Sequence, residues 1–221
     1  MSRLFPPLLC SILLAVVSAP AAPLRGLIDG DTYVSPTGQF RVRTPVRTEL
    51  GGKITDTTNV VTFQDDFGTH VSIACFELDA TQRWEYDTRG LRDYLLYFLT
   101  DLLMANFSAR FPGATIESAR FLPQLMEGAL IGYVLLPGGS EFEHFNRVTD
   151  APPADPVVAK RGTLLFVRHR YLYAISTELS ERATQRSTYT LTREQEDEQL
   201  SARLIALSGR LTFTNDRPRT P

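Results

Sequence analysis

The stretch TLLFVRHRYLYAISTEL, Thr163–Leu179, sets the strictest condition on the fold. Two β-rich runs flank His169-Arg170, so the stretch reads as a hairpin with its turn there. In an extended second run, Tyr171, Tyr173 and Ile175 point one way, while Leu172, Ala174 and Ser176 point the other. A strand that is oily on both faces has to be covered on both, or on one with a partner against the other. The chain must therefore build a layer on each side of a central hairpin.

The remaining pattern supplies those layers. Asp31–Val34 and Gln39–Arg43 read as short strands around a Ser35-Pro36-Thr37-Gly38 turn, and Pro45 ends the pairing because it has no amide hydrogen to donate. NVVTFQDD and THVSIACFEL read as a second hairpin. Residues 79–88 are polar but hold Trp84 and Tyr86. A helix is predicted from Asp87 or Thr88 to about Ala109, with Leu91, Leu95, Phe98 and Leu102 at helical spacing and further apolar residues widening the stripe. ATIESARFL and GALIGYVLL read as strands, and 138–160 as a loop, with a strand considered around Glu141–Arg147. A last helix starts near Thr192, where Thr192-x-x-Gln195 fits a capping box, and ends at Gly209 before the short strand RLTF. Antiparallel hairpins, a long helix, more hairpins and a C-terminal helix imply an α+β fold: an antiparallel sheet with helices packed on both faces, an α/β/α sandwich.

The N-terminus reads as a cleaved signal peptide over residues 1–21. Arg3 is its one charge, Leu8–Val17 its apolar run, and Ala19-Pro20-Ala21 a small-x-small cleavage site. The run is about half the roughly 20 residues that span a bilayer, so a cleaved leader is favoured over an anchor, and no membrane span is expected after cleavage. Cys10 lies too early for a lipid anchor. Residues 22–30 read as a linker, 31–213 as a single domain, and 214–221 as a disordered tail. Cleavage would leave Cys75 as the one cysteine, a buried thiol in an apolar run, so the domain is held by its core and not by a disulfide. The net charge of −2 becomes −3 without Arg3 and gives no basic footprint for nucleic acid.

YVSPTGQFRVRTP, Tyr33–Pro45, resembles the opening of the PsbP-like family, which includes an extrinsic photosystem II subunit. TLLFVRHRYLYAISTEL resembles that family's late hairpin, although His169-Arg170 stands where Asp-Gly is common. LSGRLTF, with Ser208 and Phe213 two residues further apart, resembles its final helix-to-strand ending. The resemblance spans about Asp31 to Phe213. It implies an antiparallel sheet with helices on both faces, a fold shared with a Ran-binding nuclear import factor, and transfers no site.

The residues offer little assembled chemistry. His70, His144 and His169 are not spaced as a helical metal site. In an extended SEFEH, Glu141 and Glu143 would share a face and His144 point away, which opposes a shared metal. Asp29-Gly30-Asp31 lacks the rest of a calcium loop, Gly51-Gly52-Lys53 lacks the rest of a phosphate loop and reads as plain loop, and the Asn106-Phe107-Ser108 sequon falls in a predicted helix. No catalytic, metal or cofactor site is assigned. Trp84 and Tyr86 are the candidate partner-binding residues. The expected function is an exported, periplasmic or secreted, non-catalytic protein of the bacterial envelope. It would act as a protein-interaction or assembly module, with another envelope protein as partner. The alternatives are a hydrolase using Ser140, His144 and Asp150 of the 140–150 loop, and a small-ligand carrier with a pocket between the long helix and the sheet.

Overall fold

The computed structural model describes residues 23–143, 155–214 and 216. The leader, the His144–Asp150 part of the acidic loop and most of the tail lie outside them. The first hairpin is longer than the sequence pattern suggested. Strand β1 (Leu27–Asp29) pairs with β2 (Thr32–Val34), and β2 with β3 (Phe40–Arg43). Residues 25–30 are thus no simple linker. The amides of Arg25 and Gly26 donate to the Asp56 carboxylate at 2.8 and 2.7 Å, as does the Tyr33 hydroxyl at 2.8 Å. A carboxylate that gathers three donors ties the chain down from residue 25 onward.

Strand β4 (Lys53–Asp56) begins at the lysine of the Gly51-Gly52-Lys53 stretch that reads as plain loop, and pairs with β5 (Val60–Gln64), which pairs with β6 (His70–Glu77). The helical region departs most from expectation. The polar stretch after Leu78 is itself a helix, α1 (Ala80–Arg89). Asp79 caps it, accepting from the Gln82 amide at 2.8 Å while the Gln82 side chain accepts from the Asp79 amide. This box replaces the apolar stripe as the signal, because α1 buries no residue at all. Gly90, at φ 77°, turns the chain into α2 (Leu91–Tyr97), a π-helical turn (Phe98–Leu103) and α3 (Met104–Arg110). Strands β7 (Thr115–Leu122), β8 (Ala129–Pro137), β9 (Val158–Arg168) and β10 (Tyr171–Glu178) follow, then α4 (Glu181–Thr184), α5 (Arg193–Ser208) and β11 (Leu211–Phe213). Thr192 and Gln195 form the expected capping box. Glu141 to Glu143 form a turn, not a strand.

Two antiparallel sheets result, β1-β2-β3-β11 and β4-β5-β6-β10-β9-β8-β7. The β9–β10 hairpin sits inside the larger sheet and is covered on both faces, as its composition demands. On one face Tyr173, Ile175, Leu164 and Phe166 pack with Leu200 and Leu204 of α5 and with Tyr33, Phe40 and Phe213 of the small sheet. On the other, Leu172, Ala174, Leu165 and Leu130 pack with Tyr94, Leu95, Phe98 and Leu99. The fold is α+β, with helices on both faces of a central sheet and a small second sheet sharing the α5 side. Cys75 is buried, and burial pushes its thiol up to about 11. No helix among the described residues is long and apolar enough to cross a membrane.

One buried charge holds α5 to the sheet. Lys160 on β9 is fully enclosed, and its Nζ lies 2.5 Å from Glu117, 3.0 Å from Glu196 and 2.6 Å from Asp197. Tyr189 donates to the same Glu196, and the Tyr133 hydroxyl donates to the Asp197 carbonyl at 2.9 Å. Burial alone would lower the ammonium, but the three carboxylates outweigh it and hold Lys160 above 10.5. Removing it leaves three carboxylates facing one another, with only Arg182 beside Glu196 and Arg193 beside Glu117, each at 3.6 Å, in partial compensation. Lys160→Met is expected to lose about 3–5 kcal/mol of stability in urea titrations. The folded-state value is raised, so the ammonium's contribution is complete below the unfolded-state value. The gap between wild type and variant should therefore hold through neutral pH and shrink as pH rises past 10.5.

Candidate functional site

The helix-facing side of the large sheet carries a row of small residues. Strand register places Thr62, Ser72, Ser176, Thr163 and Gly132 side by side across five strands. At the Gly132 end the helix layer presses in, and a Cβ there would lie 2.6 Å from Leu99 Cδ2. At the other end the helix does not follow the sheet down. Thr62, Ser72 and Ser176, with Ala74 and Ala174 in the adjoining row, leave a cavity of about 510 Å³. Phe98, Leu102 and Leu103 of the π turn and Phe107 of α3 form its apolar roof. A π turn carries an extra residue within the helical ladder and recurs at functional sites.

One end of this groove is polar. Continuing the ladders places His70, Glu178 and Arg161 on neighbouring strands, on the same face as the small row. Glu178 is 1 % exposed. Burial raises its carboxyl, against the Glu141 amide donating at 3.0 Å, the Ser140 hydroxyl at 2.6 Å and the Arg161 guanidinium at 3.6 Å. Arg161 Nη2 also donates to the Gly139 carbonyl at 2.7 Å and to Glu141 at 2.8 Å, while its Nε is buried with no hydrogen-bond partner. His70 packs edge-on to Phe142 at 6.5 Å. Burial lowers its imidazole, Glu141 opposing and Arg161 assisting.

The residues singled out from sequence are dispersed by the fold. Trp84 stands on α1 with 63 % of its surface exposed. Tyr86, two residues on, turns away from it and packs edge-to-face on buried Tyr94 at 5.5 Å. The two aromatics therefore do not share a surface, and Trp84 alone remains as an exposed anchor. Ser140 is bonded to Glu178, and the His144 and Asp150 that would complete a triad fall outside the described residues. Glu141 pairs with Arg161, and Glu143 accepts from the Val157 amide at 3.3 Å. His70, Arg161 and Glu178 were not grouped from sequence. The available signal was three charged or titratable residues at the ends of otherwise β-rich runs.

Comparison with known proteins is confined to structure. No protein-family model matches the chain, and no curated protein does. Among solved structures, a Bacteroides thetaiotaomicron protein aligns with TM-score 0.46 and 9 % identity over 88 % of this chain and 52 % of its own length. This chain thus spans about half of that protein. The solution structure of cyanobacterial PsbP from Synechocystis aligns with TM-score 0.46 and 11 % identity, over 90 % of this chain and 98 % of that one. The likeness is one of fold alone. It says nothing about the groove.

His70 gives the groove a titratable reporter. Its folded-state value is lowered, so the unfolded chain takes up the proton first as pH falls below 6.5, and stability declines there. In stepped-pH denaturation from pH 7 to 5, His70→Gln should lack this component, and the stability difference between wild type and variant should narrow or reverse toward low pH.

Proposed function

We propose that this chain is an exported binding protein that holds a small, elongated amphiphile in the groove between its helix layer and its sheet. The cavity carries this reading. Its volume of about 510 Å³ falls within the roughly 300–1,000 Å³ of small-molecule sites, and it combines an apolar roof with a few convergent polar groups. A floor rich in serine, threonine and alanine, where that face elsewhere carries Leu130, Leu165 and Leu172, keeps the space open. The polar groups at its end are engaged with one another, which favours holding a ligand over transforming it. The leader-like residues 1–21 support export to the periplasm or beyond.

A second reading, an assembly module for another envelope protein, is favoured by Trp84. A large exposed aromatic on a helix that buries nothing of its own is suited to anchoring a partner.

A thermal-shift screen of single-chain amphiphiles separates the two readings. A groove ligand at about 100 times its Kd should raise the wild-type Tm by about 5 °C or more. Ala74→Leu, which fills the floor, should abolish the shift, and Trp84→Ala should leave it intact. No shift with any amphiphile, together with retention of an envelope protein that Trp84→Ala abolishes, would favour the assembly reading.

A further inference from the structure

The geometry points to a carboxylate as the head group this groove selects, so that its ligand is an aliphatic monocarboxylic acid; this rests on the binding reading above and names the ligand class. The two acidic groups at the polar end are already answered from within. Glu178 is enclosed by the Ser140 hydroxyl, the Glu141 amide and Arg161, and Glu141 is paired with Arg161. The charged group left over is a cation. Arg110 lines the groove at the end of α3, is exposed, and has no ion pair among the described residues. Its guanidinium lies over the Phe111 ring, at 5.6 Å. Asn106, one turn before Arg110 on the same lining, makes no side-chain hydrogen bond among the described residues, and its amide can donate to the same head group.

Among the described residues, the one charged lining group without a counter-charge is the Arg110 guanidinium, which is complementary to an anionic acceptor with two oxygens. Phe98, Leu102 and Phe107 would cover the alkyl chain while the head reaches Arg110. A cationic head would meet Arg110 with like charge, and an alcohol would leave the charge unanswered.

The test is isothermal titration of the full chain with decanoate, decanol and decyltrimethylammonium. Decanoate should bind at least about tenfold more tightly than decanol, the advantage expected of a charge-assisted hydrogen bond. Arg110→Gln, an exposed site that the fold does not depend on, should reduce decanoate to the level of decanol and leave decanol unchanged. The preference should shrink at about 1 M salt. Ala74→Leu should remove both. Equal binding of decanol and decanoate by wild type would overturn the head-group assignment while leaving the groove as a ligand site. Full preference retained in Arg110→Gln would overturn it as well. Failure of all three probes to bind would overturn the groove reading itself, and the assignment with it.

Discussion

Two-sided burial of the β9–β10 hairpin is the constraint from which the architecture follows. A strand whose Tyr173 and Ile175 face one way and whose Leu172 and Ala174 face the other gains stability only if apolar layers meet both surfaces. The chain provides them from different sources. The helix layer from Leu91 to Arg110 covers one face, and α5 with the small sheet covers the other. Lys160 fits this account as an exception. It is a charge enclosed at the α5 interface, tolerable because three carboxylates surround it, and it ties α5 to β9 and β7 by electrostatics where α5 offers few apolar contacts beyond its leucine stripe.

The groove arises where the two layers fail to match. Leu99 sits against Gly132 because only a residue without Cβ admits it so closely. The same small row continues under β6 and β10, but there the π turn carries the helix over Ser72 and Ser176 without filling the space. Proteins pack to nearly crystalline density, so a gap of this size beside a well-packed core is a feature of the side chains chosen, not of loose assembly.

Local signals were legible in the sequence and distant ones were not. The β10 alternation, the Thr192–Gln195 box and the Ser35–Gly38 turn each depend on residues a few positions apart, and each stands where it was read. α1 carries an equally local box at Asp79 and Gln82, but its polar stretch lacks the apolar period that identifies most helices. β1 and β4 are short edge strands whose stability comes from β2 and β5, and nothing inside LID or KITD announces that. The polar end of the groove needs the register of β6, β10 and β9 at once, which is tertiary information. Trp84 was visible as an aromatic in polar surroundings. Tyr86 was not separable from it until the stretch proved helical, because two positions along a helix turn a side chain to another side.

The small sheet has a kinetic corollary. Its third strand, β3, closes against β11, pairing Phe40 with Phe213, so the first hairpin of the domain completes its sheet only against the last strand. Both rings lie in the same core as Tyr173 and Phe166. Such a contact, between segments so far apart in sequence, carries a large loop-closure cost and forms late. A chain emerging from its amino end therefore leaves the β3 edge without its β11 partner until residue 213 has been delivered, and the small sheet is the last to be completed.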